Sequence, residues 1–216
     1  MNYIHREKEE LLGLSKTSEQ FRNEIKDMDR KTAYKHYLSR KSVLKYNTKE
    51  TKDEFKKMNY ERCSFCTGII REFEREMTVE HIETKSSVPE KIYDWNNLLC
   101  SCRACNTVRS TTQYEADKYL DPTRVVDIER YFSYHADGSI TAREELTEEE
   151  SKAANYMIDL YGLNRETLIC ERRYFFNDLQ DDDFYEGLLR KDLYSRRIIF
   201  RSVFMYFKKR RNGDGK

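Results

Sequence analysis

The chain has 216 residues, which is enough for one sizeable domain or two small ones. Charged residues make up 37% of it and aromatic residues 13%, while the formal net charge is only +1, and this balance argues against disorder. No apolar run approaches the roughly 18 residues that cross a bilayer, and the charged N-terminus MNYIHREKEELL does not resemble a signal peptide. We therefore expect a soluble, cytoplasmic protein. The low counts of two prolines and seven glycines predict that it is mainly α-helical.

Positive charge is concentrated near the two ends of the chain. Residues 1–62 contain 16 Lys and Arg against 11 Asp and Glu, and residues 184–211 contain 9 against 2. Basic ends around a neutral centre favour a polyanionic partner such as nucleic acid, although exposed helices carry charged faces for solubility alone.

Residues 1–60 are predicted to form a helical N-terminal region. Leucines and aromatic residues recur at helical spacing in EELLGL, EQFRNEI and KTAYKHYLSRKSVLKY. Nothing in this stretch has a recognisable chemical pattern, so we interpret it as a scaffold with basic faces.

Residues 61–122 change character. Short strands are predicted around Glu76–Ile82 and Asn97–Leu99, with the loop SSVPEK between them. After Cys102 a helix is predicted to run through NTVRSTTQYEADKYL as far as Asp121-Pro122. The order is therefore strand, loop, strand, helix.

Residues 123–216 predict a hairpin followed by a helical C-terminal region. The hairpin turns at Asp137-Gly138, and Thr147 begins a capping box. That helix ends at Gly162, and Asn164 is a candidate cap for the next one. One last helix is predicted to carry an apolar face of Leu189, Leu193, Phe200, Phe204 and Phe207.

Four of the six cysteines form two Cys-x-x-Cys pairs, CSFC and CRAC. Reduced thiols in such pairs are typical of a structural zinc site, because zinc takes four sulfur ligands tetrahedrally. The predicted ligands are Cys63, Cys66, Cys102 and Cys105. Cys100 and Cys170 remain as small buried residues, although Cys100 is near enough in sequence to compete as a ligand.

The segment between the pairs is longer than a zinc ribbon needs. A ribbon usually encloses about 15 to 20 residues, whereas 35 residues separate Cys66 from Cys102. The insert contains Glu80-His81 and Asn97, and Asn106 follows the last cysteine. Each could be structurally ordinary: an acid–histidine pair on a solvated strand face, a turn asparagine and a helix-start asparagine.

Together these residues match the needs of phosphodiester hydrolysis. His81 would take a proton from water, while Glu80 and Asn106 would bind a hard divalent cation, Mg²⁺ or Mn²⁺, through oxygen atoms. Asn97 would tie the loop to the backbone and so fix the imidazole.

The segments CSFC, VEHI and WNNLLCSCRACN, followed by Arg109, closely resemble the HNH, or ββα-metal, nucleases. The resemblance implies a small ββα-metal module embedded in a mainly α protein and stabilised by the four-cysteine zinc site. It assigns His81 as the catalytic base, with Glu80, Asn97 and Asn106 completing the catalytic set. It also implies that Arg109 grips a phosphate of the substrate.

The sequence departs from the family pattern in three places. Asn106 stands where colicin-like members have histidine, Glu80 is longer than the common aspartate, and the proline common after D-H-I-x is absent, Thr84 being followed by Lys85. None of these departures removes a required group, so an active site is expected.

Looser matches extend over much of the chain to HNH proteins of bacterial defence systems, including the PtuB subunits of Septu systems and retron-linked relatives. This resemblance implies DNA as the substrate and an ABC/SMC-like, PtuA-like ATPase as the partner. The chain itself has no nucleotide-binding G-x-x-x-x-G-K-[ST] motif. Two alternatives stay open: a non-catalytic zinc module that binds nucleic acid or a protein, and an RNA or tRNA nuclease.

Overall fold

The computed structural model describes residues 1, 4, 10–70, 76–110, 114–191 and 199–212. Within these ranges the chain forms eight α-helices and four short strands. The helices are α1 Leu12–Ile25, α2 Arg30–Arg40, α3 Lys49–Met58, α4 Arg103–Ser110, α5 Glu148–Leu160, α6 Glu166–Asp178, α7 Asp182–Leu189 and α8 Arg201–Arg211. The strands are β1 Met77–His81, β2 Leu98–Cys102, β3 Phe132–Tyr134 and β4 Ile140–Ala142. None of the described helices has the length and apolar composition that a membrane crossing requires.

The N-terminal region is helical, as predicted, but its third apolar segment is only partly so. Asp29 caps α2 by accepting hydrogen bonds from the backbone of Lys31 and Thr32, and Thr48 caps α3 in the same way. The prediction of helix through KTAYKHYLSRKSVLKY is wrong after Arg40, because the chain turns into a loop over residues 41–48.

The ββα module has the predicted order of elements. β1 and β2 pair antiparallel with five residues each, from Met77 opposite Cys102 to His81 opposite Leu98. All five residues of β2 are buried, and α4 begins directly after it. The predicted fold class, a mainly α protein with an embedded ββα module, is confirmed.

The helix after β2 is shorter than predicted, because residues 114–120 are not helical. Their polar groups bond to α5 and its C-terminal end instead. The Glu115 N–H donates to the Tyr156 hydroxyl at 2.7 Å, and the hydroxyls of Tyr119 and Tyr161 lie 3.1 Å apart. Tertiary hydrogen bonds thus replace the helical ladder in this segment.

The hairpin and the helix after it follow the sequence prediction. β3 and β4 pair antiparallel around the Asp137-Gly138 turn, where Gly138 has a φ of 90°. A Cβ atom at this glycine would lie 2.0 Å from the Ile169 carbonyl oxygen, so the hairpin packs directly on the α6 backbone. Thr147 and Glu150 form the predicted capping box of α5.

Two predictions for the C-terminal region are wrong. Asn164 does not cap α6; its side chain bonds to both the backbone N–H and the carbonyl of Ile140 at 2.8 Å and so holds the hairpin. The single last helix is instead α7 and α8, because Phe200 is extended and forms a bridge with Gly68. Leu193 lies outside the described residues.

Three buried apolar clusters connect the parts of the chain. The first joins the four paired cysteines to the C-terminal helices, and the second joins Leu11, Leu14 and Phe55 to both strands of the module. In the second, the Phe55 ring stacks on Trp95 with centroids 4.7 Å apart. The third packs α1 and α2 on Ile92 and Tyr93. The ranges 1–60, 61–122 and 123–216 thus share cores, and their division into domains stays a prediction.

Candidate active site and metal centre

The two Cys-x-x-Cys pairs converge on one buried point. The sulfur atoms of Cys63, Cys66, Cys102 and Cys105 all lie within 4.8 Å of one another, and those of Cys66 and Cys102 are 4.0 Å apart. Zn–S bonds of about 2.3 Å imply sulfur separations of about 3.8 Å in a tetrahedron. The donor set therefore fits a zinc ion held in a closed, structural site.

The backbone shapes the first pair into a tight turn. The Cys63 N–H donates to the Gly68 carbonyl at 3.0 Å, and the Thr67 N–H donates to the Cys63 carbonyl at 3.1 Å. Thr67 adopts a positive φ of 58°, an uncommon conformation for a β-branched residue. Such strain is compatible with a backbone that is held in place by the surrounding core and by a bound metal.

The cage is also tied to the C-terminal region. Arg165 donates to the Cys105 sulfur at 3.5 Å and to the Tyr161 carbonyl at 3.1 Å. The Tyr161 ring in turn stacks on Phe65, inside the first cysteine pair, with centroids 3.5 Å apart. Burial raises the pKa of the Cys63 thiol, so a positive ion and the Arg165 guanidinium are needed to favour thiolates here.

The two remaining cysteines lie outside this four-sulfur cluster. Cys100 is buried in the second apolar cluster, as predicted, and burial raises its pKa to about 12. Cys170 is only half-buried, so the expectation of a buried residue there is wrong.

The faces of β1 decide which candidate residues meet. Alternate residues of a strand point to opposite faces, and the burial of β1 alternates accordingly, with Thr78 and Glu80 half-buried and His81 buried. Glu80 and His81 therefore project from opposite faces, and His81 stands at the end of the strand.

Helix α4 covers the face that carries Thr78 and Glu80. The Asn106 amide donates to the Thr78 hydroxyl at 2.9 Å, and Arg109, one turn later, places its Nε 3.9 Å from a Glu80 carboxylate oxygen. The structure thus brings Glu80 and Asn106 to one side of the module. Because the Asn106 nitrogen donates to Thr78, its side-chain oxygen is the atom that could serve as a metal ligand on this side.

The surroundings of Glu80 disfavour a negative charge on its carboxylate. Burial raises its pKa to about 7, and the nearby positive charges of Arg109 and Lys85 only partly offset that effect. Its side chain keeps 13% of its surface exposed. A half-buried carboxylate with a neighbouring amide oxygen fits a hard divalent cation such as Mg²⁺ or Mn²⁺, which would relieve the cost of the charge.

Two contacts hold the His81 ring in one orientation. Its Nε2 donates to the Ile92 carbonyl at 2.9 Å, and the ring meets Tyr46 edge to face with centroids 4.6 Å apart. Burial lowers its pKa to about 3, so the imidazole is neutral at physiological pH. Since Nε2 carries the hydrogen, Nδ1 holds a free lone pair and can accept a proton.

Asn97 fastens the loop that holds His81. Its side-chain oxygen accepts from the Glu83 N–H at 2.8 Å, and its nitrogen donates to the Glu83 and Lys91 carbonyls at 3.1 Å. Ile92, whose carbonyl binds the imidazole, follows directly. This amide is occupied by backbone groups, so its contribution is to position the loop.

Arg109 lies somewhat differently from what its predicted role suggests. Its side chain is only 3% exposed, and the guanidinium faces Glu80, the Ile82 carbonyl at 3.4 Å and the Tyr114 ring. This placement suits a residue that steadies the Glu80 carboxylate more than one that reaches out to substrate.

Two site neighbours were not among the residues predicted from the sequence. Tyr46 comes from the loop between α2 and α3, in a region with no chemical pattern, and reaches His81 only through tertiary packing. Lys85 stands four residues after His81 and could have been noticed as a basic residue beside an anion-binding motif.

A cavity of about 390 Å³ borders the same loop. Asn97, Glu83 and Lys91 line it together with Tyr114 and Tyr119, but Glu80, His81 and Asn106 do not. The candidate base and the candidate metal ligands therefore lie outside this cavity, whereas Asn97 lines it.

The comparisons with known proteins point to the same segment. Residues 62–112 match the HNH endonuclease family model. A stretch of 66 residues is 32% identical to the Septu protein PtuB of Bacillus thuringiensis, covering 31% of this chain. The chain spans only 26% of the length of that relative. The resemblance to HNH nucleases and to PtuB is confirmed over these stretches.

Proposed function

Because residues 62–112 carry an HNH endonuclease domain, we propose that this protein is a metal-dependent endonuclease that hydrolyses DNA phosphodiester bonds. The observation that carries the proposal is the single orientation of His81, whose Nε2 is bound to the Ile92 carbonyl and whose Nδ1 is left as a base. The supporting observation is the pair of oxygen ligands, Glu80 and Asn106, on the face of β1 that α4 covers.

In the proposed reaction the scissile phosphate lies across the end of β1, where it would be reached both by His81, the last residue of the strand, and by Glu80 and Asn106 from the side that α4 covers. Nδ1 of His81 takes a proton from a water molecule as the water oxygen forms its bond to phosphorus. The bond between phosphorus and the leaving sugar oxygen breaks, and that oxygen takes up a proton from solvent. A divalent cation held by Glu80 and Asn106 would neutralise charge on the phosphate and the leaving oxygen.

The rest of the module positions these groups. Asn97 holds the loop that carries the Ile92 carbonyl, and Arg109 steadies the Glu80 carboxylate. The cysteine cage, with zinc bound, keeps α4 against β2, since Cys102 ends that strand and Cys105 lies on the helix.

We further propose that the protein works in a bacterial anti-phage defence complex with an ABC/SMC-like ATPase of the PtuA kind. The support is the local similarity to PtuB. A ββα site reads the backbone rather than the bases, so such a nuclease needs a partner to restrict its activity.

The test is a cleavage assay with plasmid DNA and Mg²⁺ or Mn²⁺, comparing the wild type with His81→Ala and with His135→Ala. His135 is an exposed histidine on the hairpin and serves as the matched control. We expect EDTA-sensitive cleavage that His81→Ala reduces by about 10²- to 10⁴-fold and His135→Ala leaves unchanged. Equal cleavage by wild type and His81→Ala would contradict the catalytic assignment.

Further arms separate the alternatives. Total RNA and tRNA replace the plasmid to test for a ribonuclease. Zinc content is measured for each variant, because a non-catalytic zinc module would lose function with the cysteines but keep it in His81→Ala. Co-purification with a co-expressed neighbouring ATPase tests the partner.

A further inference from the structure

Lys85 lies beside the candidate base without being part of the motif that predicted it. It is half-buried in the loop after β1, and its Nζ donates to the Tyr46 hydroxyl at 3.3 Å. The same ammonium lies 5.4 Å from the centre of the Tyr46 ring, which packs edge to face on His81. Tyr46 therefore touches both the imidazole and the lysine.

The charge of Lys85 reaches both sides of the site. It acts electrostatically on Glu80 and on His81, although these residues project from opposite faces of β1. Arg109 acts on both as well, but it is buried and faces Glu80 and a backbone carbonyl. Of these two cations, Lys85 is the one with surface available to a ligand.

Among the described residues, no acid forms an ion pair with the Lys85 ammonium. Its hydrogen-bond partner there, the Tyr46 hydroxyl, is neutral, whereas Lys91, further along the same loop, pairs with Glu83. A partly exposed ammonium that is anchored by a neutral hydroxyl and lies next to a catalytic-type histidine suits an anionic ligand.

We propose that Lys85 contacts the phosphodiester that is being cleaved and that Tyr46, from the N-terminal region, holds the ammonium in place. This inference rests on the proposed nuclease function and extends it. Negative charge grows on the non-bridging and leaving oxygens as the water attacks, so a fixed cation at that point stabilises the transition state more than the bound substrate. The N-terminal region then contributes directly to the active site.

The first test measures kcat and KM for DNA cleavage by wild type, Lys85→Ala, Lys85→Arg and Lys152→Ala. Lys152 is an exposed lysine of α5 that pairs with Glu148, so its removal is a matched loss of one charge. We expect Lys85→Ala to lower kcat by about 10²-fold, Lys85→Arg to restore most of it and Lys152→Ala to match wild type. Wild-type kcat in Lys85→Ala, or equal loss in Lys85→Ala and Lys85→Arg, would overturn the proposal.

The second test measures binding without chemistry. The affinity of each variant for the same DNA is measured in EDTA at several salt concentrations. Each phosphate contact contributes about −0.9 to the slope of log K against log salt, so Lys85→Ala should flatten the slope by about that amount. An unchanged slope would contradict a phosphate contact by Lys85.

Tyr46→Phe removes the hydroxyl but keeps the ring against His81. We expect it to lower kcat by about 3- to 10-fold in the wild type, the value of one hydrogen bond, and to have no further effect in Lys85→Ala. Equal losses in both backgrounds would show that Tyr46 acts only through the fold. If the wild type cleaves neither DNA nor RNA, the nuclease proposal itself fails, and the role of Lys85 falls with it.

Discussion

The two ends of the β1–β2 strand pair arrange their polar side chains in opposite ways. At the end where Cys102 faces Met77, four buried sulfurs close around a single point. At the other end, where His81 faces Leu98, the ligand atoms of Glu80 and Asn106 are half-buried and the imidazole is fixed by a backbone carbonyl. One end is a closed cage of sulfurs that could hold a metal ion, and the other, although His81 is buried, keeps part of Glu80 exposed; we call it the open end.

The difference lies in where the fixing contacts originate. The cage ligands lie in two short Cys-x-x-Cys segments. The free energy with which they bind a metal ion adds directly to the free energy of folding. The open end depends on Asn97, on the Ile92 carbonyl and on Tyr46 from another region of the chain. The cysteine cage can thus stabilise the fold, while the open end holds the Glu80 carboxylate, whose ionised form is disfavoured by burial.

The strongest test of this comparison removes a cage ligand. Cys102→Ala leaves three buried sulfurs that cannot complete a tetrahedron, so we expect loss of zinc and of at least about 4 kcal/mol of stability. Zinc content and the thermal unfolding midpoint measure this. Cys170→Ala, which changes a half-buried thiol outside the cage, should retain both, and similar losses in the two variants would contradict the assignment.

At the open end, Asn97→Ala should cost less stability but more activity. It leaves the Glu83 N–H and the Glu83 carbonyl without their side-chain partner and removes one of two donors to the Lys91 carbonyl, which still accepts from the Asp94 N–H, a loss of about 2–3 kcal/mol. We expect cleavage to fall sharply while the zinc content stays normal. Urea unfolding and cleavage rates measure the two effects. Asn97→Asp keeps the acceptor for the Glu83 N–H, so its cleavage rate should lie between those of the wild type and Asn97→Ala. Cleavage by Asn97→Ala at the wild-type rate would contradict the positioning role.

The contact of Arg165 with the cage provides a finer test. Arg165→Ala removes the donor to the Cys105 sulfur, and the loss of such an outer partner typically weakens metal affinity by about 10- to 100-fold. Chelator competition measures the zinc affinity directly. Arg173→Ala is the matched control, because its guanidinium contacts the sulfur of Cys170 outside the cage. Equal zinc affinities of Arg165→Ala and the wild type would show that the contact does not tune the metal.

The smallest expected effect concerns the pH dependence of Glu80. Its folded pKa of about 7 lies above the ordinary value of 4.5, so the folded state holds a proton that the unfolded state releases between these values. Stability contributed by this group is therefore present at pH 4.5 and lost as the pH rises through 7. Relative to Glu80→Gln, the metal-free wild type should lose on the order of 2–3 kcal/mol between pH 5 and 8.

Urea unfolding of both proteins in EDTA at the two pH values checks this expectation, and comparing the two proteins cancels the titration of other groups. Added Mg²⁺ should stabilise the wild type at pH 8 and leave Glu80→Gln unaffected. A pH-independent difference between the two proteins would show that Glu80 is not destabilised when ionised.

Local patterns predicted those parts of the molecule whose structure is decided locally. The paired cysteines, the two strands between them, the Asp137-Gly138 turn and the Thr147 capping box follow from spacing and backbone preference alone. The predictions of helix over residues 114–120 and of a single last helix were wrong, because tertiary contacts decide these segments: Glu115 bonds to α5, and Gly68 pairs with Phe200.

The candidate site divides in the same way. The sequence motif proposed Glu80, His81, Asn97 and Asn106 as site residues, but it could not indicate that the first two project from opposite faces or that Arg109 is buried against Glu80. The contacts of Tyr46 depend on how the loop after α2 folds back over β1. No short-range pattern encodes that approach.

The stack of Phe55 on Trp95 has a practical consequence. Trp95 is the only tryptophan of the chain, and its partner Phe55 belongs to α3. The indole therefore lies where the N-terminal helices meet the β1–β2 strand pair. Its intrinsic fluorescence is thus a built-in optical reporter of that junction. In a urea titration, a red shift of the tryptophan emission would give the urea concentration at which α3 separates from the β1–β2 strand pair, without any label.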